Sequence, residues 1–134
     1  EGTPISVGRG TDFPFQIYGH PKLQGDYTFI PHSTPGAKNP PLKDKICHGQ
    51  DLRTLPTDSC IWHEGIDLKY LVDCYRQIGR GESFFLPIFN KLTGVAYVRD
   101  MIISGADAEQ IEARWKNDVQ RFRIQRKPYL LYEE

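Results

Sequence analysis

The chain changes character near its midpoint, and this change restricts its fold more than any other feature. Residues 1–65 are rich in glycine, proline and aromatic residues, whereas residues 66–127 carry apolar side chains at three- and four-residue spacing. Glycine and proline interrupt helices, so we expect short strands joined by loops in the first half. Short strands followed by amphipathic helices predict an α+β fold, with the strands in the N-terminal half and the helices in the C-terminal half.

Three segments of the first half have the composition of strands. Phe13–Tyr18 and Tyr27–Ile30 contain aromatic and β-branched residues and end next to glycine or proline. Ile46–Leu55 is a third candidate, although Gly49 weakens it. Residues 33–45 hold several prolines and predict an extended loop.

The second half predicts four helices. Ile66–Ile78 has an apolar face and ends before a glycine, and shorter helices are expected over Phe84–Leu92 and Tyr97–Ile103. The last helix begins with the capping pair Asp107 and Gln110. Its apolar stripe is made of Ile111, Trp115, Val119 and Phe122. After Pro128, residues 129–132 predict a short terminal strand or a docked tail.

Length and charge restrict the class of protein. The chain has 134 residues, which predicts a single domain over 1–134. Seventeen basic residues balance 17 acidic ones, which argues against a general nucleic-acid binder or a membrane-surface protein. No apolar stretch has the length of a membrane span. We therefore expect no nucleic-acid partner and no membrane span.

The cysteines and histidines do not form a recognisable metal site. Cys74 lies on a predicted amphipathic helix and is expected to be buried. Cys47 and Cys60 either form a disulfide in an oxidising compartment or remain free thiols, which we favour. Together with His48 and His63 they do not match the common zinc spacings. We therefore predict no metal and no cofactor.

The most informative motif lies at the start of the chain. Glu1-Gly2-Thr3 is closely followed by Gly8-Arg9-Gly10-Thr11-Asp12. Such a segment exposes backbone N–H groups around one guanidinium, which suits an anionic or polyhydroxylated ligand. A domain rarely begins inside its own site, so we expect the chain to be the second part of a larger protein.

Several motifs together resemble the C-terminal domain of the exo-β-N-acetylmuramidase family, two-domain glycoside hydrolases of bacterial peptidoglycan recycling that were long known only as a domain of unknown function. The matching residues run along the whole chain: Glu1-Gly2-Thr3, Ser6–Thr11, Pro14-Phe15-Gln16, Gly19-His20-Pro21, Cys47–Leu52, Arg121-Phe122 and Gln125–Tyr132. The loop Ser33–Pro41 and the segment Gly65–Tyr75 are most similar to the Bacteroides-like version.

The resemblance implies a function for the larger protein. An N-terminal Rossmann-like domain, absent here, is implied to supply the catalytic acid, and the C-terminal domain closes one side of the cleft. The implied reaction removes terminal N-acetylmuramic acid from the non-reducing end of peptidoglycan fragments. The implied partners are that N-terminal catalytic domain and a peptidoglycan-derived saccharide. This substrate class implies a periplasmic or secreted location.

Arg9 is the leading candidate for ligand binding. N-acetylmuramic acid carries a lactyl carboxylate that a guanidinium can grip, and glycines such as Gly10 let the backbone approach closely. Alternatively, Arg9 pairs with Asp12 or a helix carboxylate and holds the loop shape. Glu1 is the best candidate for a contributing, at most auxiliary, catalytic carboxylate; otherwise it is a polar residue at a domain junction.

Other residues have two possible roles each. Thr11 and Asp12 either bind sugar hydroxyls or cap the turn before Phe13. Arg126 either binds substrate or adds favourable charge at a helix C-terminus. His20 and His32 either face a ligand or are simply polar residues of turns. Trp62 either stacks on a sugar or packs under its loop, and Trp115 is expected in the core.

Three hypotheses about the function therefore remain. The first is an auxiliary domain of a peptidoglycan exo-muramidase that contributes Arg9 and its neighbours to substrate binding but is inactive alone. The second is a non-catalytic module that binds carbohydrate or another domain. The third is a scaffold whose N-terminal motif only stabilises an interdomain contact.

Overall fold

The strands in the described part of the chain form one small antiparallel sheet. The computed structural model describes residues 1–55, 66–79 and 81–132. Within them, β1 (Ile17–His20), β2 (Tyr27–Phe29) and β3 (Cys47–Asp51) lie in the order β1-β3-β2. Both pairings are antiparallel, with β3 in the centre.

Gly49 occupies the centre of this sheet, opposite Gly19 of β1 and Tyr27 of β2. A Cβ atom added at Gly49 would lie 1.8 Å from the carbonyl oxygen of Tyr18. The central strand therefore needs glycine at this position, because a neighbouring backbone approaches too closely for any side chain. Gly49 weakened the strand prediction from the sequence, whereas the sheet requires it.

Four α-helices follow among the described residues: α1 (Lys69–Ile78), α2 (Phe89–Thr93), α3 (Tyr97–Ile103) and α4 (Ala108–Arg126). Short 3₁₀ turns cover Leu52–Thr54, Gly81–Phe84 and Lys127–Tyr129. The α+β prediction is therefore confirmed.

The predicted element boundaries were partly wrong. The first strand begins at Ile17 because residues 13–16 form a turn, in which Gln16 N donates to Phe13 O (3.1 Å). The helix expected over Phe84–Leu92 is a 3₁₀ turn followed by α2. Of the two alternatives predicted for residues 129–132, a terminal strand or a docked tail, the strand does not form, since Tyr129 ends a 3₁₀ turn and residues 130–132 continue without strand pairing.

The main core joins the helical half to the N-terminal half. Its buried members come from both halves of the sequence: Ile5, Leu23, Leu68, Val72, Cys74, Ile78, Phe84, Phe85, Phe89, Val98, Ile102 and Ile111. Ile17, Phe29 and Cys47 form a smaller cluster within the sheet. Burial of this apolar surface is the main force that holds the two halves together.

The N-terminal segment ties the sheet to the helical half. Ser6, which is fully buried, exchanges two backbone hydrogen bonds of 2.9 Å with Gly19 of β1. Gly2 accepts a hydrogen bond of 2.9 Å from the backbone N–H of Leu86, just before α2. The conformation of residues 1–9 is therefore determined by contacts with both halves.

Helix α4 packs on the domain through its first half only. The predicted capping box is present: Asp107 Oδ1 accepts from Gln110 N (2.8 Å), and Gln110 Oε1 accepts from Asp107 N (3.1 Å). Ile111 is fully buried and Trp115 packs against the core, as expected. Val119 and Phe122, however, are 44% and 59% exposed, so the predicted stripe is buried only at its beginning.

No helix in the described part of the chain is long and apolar enough to cross a membrane. Cys47 and Cys74 are both buried, and burial raises the pKa of their thiols to about 11 and about 12. Cys74 therefore behaves as the buried residue that was predicted. Cys60 and its proposed pairing with Cys47 lie outside the described residues, as do Trp62 and His63.

Candidate functional site

A groove of about 300 Å³ runs between the N-terminal segment, β1 and α1. Glu1 lies at this groove together with Phe15 of the following turn, and the opposite wall comes from the start of α1. Apolar side chains from these elements, from the 3₁₀ turn after β3 and from α2 form most of the remaining lining: Ile5, Val7, Ile17, Leu52, Leu71, Cys74 and Phe89. The groove therefore lies where the sheet and the helical half meet.

Arg9 is joined to this groove through Glu1. The Arg9 Nε and Nη2 groups donate hydrogen bonds of 3.0 and 2.5 Å to Glu1 Oε1. The two side chains remain 44% and 49% exposed, so solvent reaches both members of the pair. Arg9 thus pairs with Glu1 instead of with Asp12 or a helix carboxylate, the two partners expected from the sequence.

Phe15 supplies a second contact to Arg9. The guanidinium carbon lies 4.9 Å from the centre of the Phe15 ring, within range of a cation–π interaction. The ring is 59% exposed and also lines the groove. Two residues that line the groove, the carboxylate Glu1 and the exposed aromatic Phe15, therefore contact the Arg9 guanidinium at the groove's edge.

The backbone at Phe15 has an unusual conformation for its residue type. Phe15 follows Pro14 in the turn and has φ +64°, a region that glycine adopts easily and a bulky residue rarely does. Its N–H donates a hydrogen bond of 2.7 Å to the carbonyl of Val7, which helps to hold it there. Such outliers are found disproportionately at binding sites, which makes Phe15 a functional candidate.

The electrostatics of Glu1 limit its chemistry. The hydrogen bond from Arg9 and then the Arg9 charge hold the pKa of this carboxyl below its usual value. A general acid working near neutral pH needs the opposite, a raised pKa. Glu1 in this arrangement is therefore an ionised group that positions Arg9, and it is not set up to donate a proton.

The glycines of the motif have structural roles. Gly8 and Gly10 have φ +78° and +82°, and a Cβ at Gly10 would lie 2.5 Å from the carbonyl oxygen of His32. The Gly10 carbonyl also accepts a hydrogen bond of 2.8 Å from His32 N. Gly10 therefore packs against the loop before β3, and this packing presents Arg9 to solvent.

Thr11 caps its own turn. Its hydroxyl donates to Gly8 O (2.7 Å) and accepts from Phe13 N (3.1 Å). These bonds match the turn-capping alternative for Thr11. The neighbouring Asp12 is exposed.

Arg126 lies elsewhere in the molecule. It is the last residue of α4 and is half-buried, whereas the described residues lining the groove come from 1–18, 52, 67–74 and 89. The structure therefore does not bring Arg126 to the groove together with Glu1.

The two histidines near the motif differ in environment. His20 is buried, and its Nδ1 accepts a hydrogen bond of 3.1 Å from Lys22 N, which fits a structural turn residue. His32 is exposed, and its Nδ1 lies 3.0 Å from Asp44 Oδ1. Among the described residues, no group of three or more His, Cys, Asp or Glu is arranged to hold a metal ion.

Three groove residues were not singled out from the sequence. Asp67 adds a second carboxyl group, although its Oδ1 accepts from Lys69 N (2.8 Å) at the start of α1. Tyr18 and Tyr70 contact each other edge to face, with ring centres 5.8 Å apart. The alternation of side chains along β1 was the one signal in the sequence that pointed to Tyr18. Asp67 and Tyr70 carried no such signal, because the approach of α1 to the N-terminal segment is a tertiary contact.

Comparison with known proteins agrees with this architecture. The profile of the family described as Exo-beta-N-acetylmuramidase NamZ, C-terminal, matches residues 1–132. The chain is 31% identical, over 146 aligned residues, to the peptidoglycan beta-N-acetylmuramidase NamZ of Bacillus subtilis (strain 168), covering 98% of this chain and 35% of that protein.

A solved structure is also similar to the chain over nearly its whole length. The crystal structure of a DUF1343 family protein from Bacteroides fragilis NCTC 9343 matches with a TM-score of 0.93 and 54% identity, covering 99% of this chain and 38% of that one. The chain thus spans little more than a third of the length of these two relatives. Since the family profile covers nearly every residue, the chain belongs to the family of exo-β-N-acetylmuramidase NamZ C-terminal domains.

Proposed function

We propose that the chain acts as the cleft-forming C-terminal domain of a longer peptidoglycan exo-β-N-acetylmuramidase. In this proposal the groove beside Glu1, Arg9 and Phe15 receives a terminal N-acetylmuramic acid residue from the non-reducing end of a peptidoglycan fragment. Removal of such a residue belongs to cell-wall recycling, and we place the longer protein in the periplasm or outside the cell because its substrate lies there.

The observation that carries the proposal is the contact of the Arg9 guanidinium with both Glu1 and Phe15. Glu1 accepts hydrogen bonds from Nε and Nη2, while the N–H groups on Nη1 can serve a second acceptor. The substrate's lactyl carboxylate is such an acceptor, and charge-assisted hydrogen bonds of this type are the strong ones. Glu1 would hold the guanidinium in place for that contact.

Phe15 suits the apolar part of the same ligand. A pyranose ring has a face of C–H groups that packs well on an exposed aromatic ring, which adds apolar contact at small entropic cost. The Phe15 ring lies within 4.9 Å of the Arg9 guanidinium carbon, so one sugar can contact both. This pairing distinguishes a carboxylated sugar from one that lacks the carboxylate.

The catalytic acid lies outside the chain in this proposal. Glycoside hydrolysis needs an acid with a raised pKa, while the pKa of Glu1 is lowered, chiefly by the hydrogen bond from Arg9. The proposal therefore assigns the acid to the N-terminal part of the longer protein, and it assigns substrate positioning to this chain.

The test is the Arg9→Ala variant of the longer protein, assayed with a chromogenic N-acetylmuramic acid β-glycoside. Loss of hydrolysis with intact folding supports the proposal, and an unchanged rate contradicts it in favour of a separate interaction module. Lower stability with unchanged substrate affinity indicates a scaffold, in which Arg9 serves only to hold the loop through Glu1. Arg9→Lys is the matched control, because it keeps the charge but loses the planar guanidinium.

A further inference from the structure

The C-terminal segment, residues 119–132, is rich in exposed apolar side chains. It carries seven exposed large apolar side chains: Val119, Phe122, Ile124, Tyr129, Leu130, Leu131 and Tyr132. Leu131 is 90% exposed and Phe122 is 59% exposed. Isolated exposed apolar residues are normal, but seven of them within 14 consecutive residues mark a segment that another molecule or domain covers.

The apolar residues of the segment are not restricted to one helical face. Val119 and Phe122 are three residues apart and share a face, whereas Ile124 points to a different side of α4. The first half of α4 is held by Ile111 and Trp115, and the core contacts do not extend to the second half. A helix end that is apolar on several sides is suited to lie in a groove of its partner.

The charge of the segment indicates the chemistry of that partner. Residues 119–132 contain Arg121, Arg123, Arg126 and Lys127 and no acidic residue. Asp118, just before the segment, pairs with Arg121. A complementary surface therefore has an apolar floor with carboxylates along its rim.

Two observations favour the rest of a longer polypeptide over a second copy of this chain. The chain spans only 35% and 38% of its two relatives, so a longer protein of this family has ample surface to cover the segment. A symmetric pairing of two such segments, in contrast, would bring like charges together.

We propose that the C-terminal segment is the docking surface for the N-terminal part of the longer polypeptide, and that it seats Phe122 and Leu131 in an apolar groove rimmed by carboxylates. This inference rests on the proposed function only in assuming that longer protein. It adds that the cleft is held together at a place separate from the sugar groove, through the last helix and tail.

The first test compares each of two substitutions in two contexts. Phe122→Asp and Leu131→Asp are each made in the 134-residue chain and in the longer protein, and the urea midpoint of unfolding is measured. We expect an unchanged midpoint in the short chain, where the residues are exposed, and a lowered midpoint in the longer protein. Ile46→Asp is the matched control, since Ile46 is 54% exposed and lies outside the segment. Equal effects of Phe122→Asp in both contexts would overturn the proposal.

The second test keeps the proposal falsifiable if an aspartate variant of the longer protein does not fold. A photo-crosslinking phenylalanine derivative is introduced at position 122 of the longer protein, and the crosslinked peptides are identified. Crosslinks within one chain to residues upstream of Glu1 are expected. Crosslinks to a second copy, or only to residues 1–118 of the same chain, would overturn the proposal. Neither test uses substrate. A longer protein that shows the expected docking but does not hydrolyse an N-acetylmuramic acid glycoside would therefore contradict the proposed function and leave this inference intact.

Discussion

The guanidinium carbon of Arg9 lies 4.9 Å from the centre of the Phe15 ring, and Phe15 reaches this position with a backbone φ of +64°. A glycine would adopt that conformation without strain, but it would offer Arg9 and a ligand no aromatic face. The chain therefore keeps a strained aromatic residue where the turn alone would favour glycine. This conflict between local preference and observed residue is typical of functional sites.

Replacement of Phe15 measures that strain directly. Phe15→Gly and Phe15→Ala both remove the ring, but alanine retains the Cβ atom that the positive φ disfavours. We expect the glycine variant to be more stable than the alanine variant by about 1 kcal/mol, measured by urea unfolding. In the longer protein both should raise KM for the muramic acid glycoside. Equal stability of the two variants would show that the turn carries no strain.

The Glu1–Arg9 pair predicts a pH dependence. Because the pKa of Glu1 is lowered in the folded protein, its ionised form favours folding above the unfolded pKa, and this contribution is lost as the pH falls through the lowered value. We expect NMR titration to place the Glu1 carboxyl below its usual pKa of 4.5. Arg9→Ala should return it towards that value.

Asp51 is the internal control for this titration. The pKa of its carboxyl is lowered by the hydrogen bond from Arg53, whose guanidinium lies 2.6 Å from Asp51 Oδ2. Arg9→Ala should leave the titration of Asp51 unchanged. A Glu1 midpoint that does not move in this variant would contradict the assigned pairing.

Gly10 predicts a large loss of stability on substitution. In Gly10→Ala the new Cβ would lie 2.5 Å from the His32 carbonyl oxygen, and φ is +82°. We expect a loss of about 2 kcal/mol or more in the free energy of unfolding. Gly36→Ala is the control, because no atom lies within 4 Å of its Cβ position, and it should be neutral or slightly stabilising. Similar stability of the two variants would refute the structural role of Gly10.

The 134-residue chain by itself should not hydrolyse the chromogenic N-acetylmuramic acid β-glycoside. The reason is that the carboxyl beside Arg9 is held ionised and lacks the raised pKa of a general acid. The longer protein, assayed at the same molar concentration, is the positive control. Turnover by the short chain at a comparable rate would place the acid within these residues.

Local signals predicted some elements of this fold well. The helix Tyr97–Ile103 and the Asp107–Gln110 cap were expected where they occur, because helix periodicity and capping chemistry depend on neighbouring residues. The start of β1 was misplaced since the turn at Phe15 violates local preference. Gly49 was undervalued because its role depends on the approach of a neighbouring strand.

The candidate site was predictable only where its residues are close in sequence. Glu1 and Arg9 were selected because they belong to one glycine-rich motif, and they do contact each other. Asp67 and Tyr70 were not selected, since only tertiary packing brings α1 to the groove. The exposure of Phe122 was missed because a periodic apolar stripe predicts burial without specifying what covers it.

The contact between Arg9 and the substrate's carboxylate is the central element of the proposed function. The direct measurement is kcat/KM of the longer protein for an N-acetylmuramic acid glycoside and for its lactyl carboxamide, with Arg9 and with Arg9→Ala. We predict that the protein with Arg9 prefers the carboxylate by about 10- to 100-fold and that Arg9→Ala abolishes most of this preference. An equal preference in both proteins would contradict the account, because the carboxylate would then be recognised elsewhere.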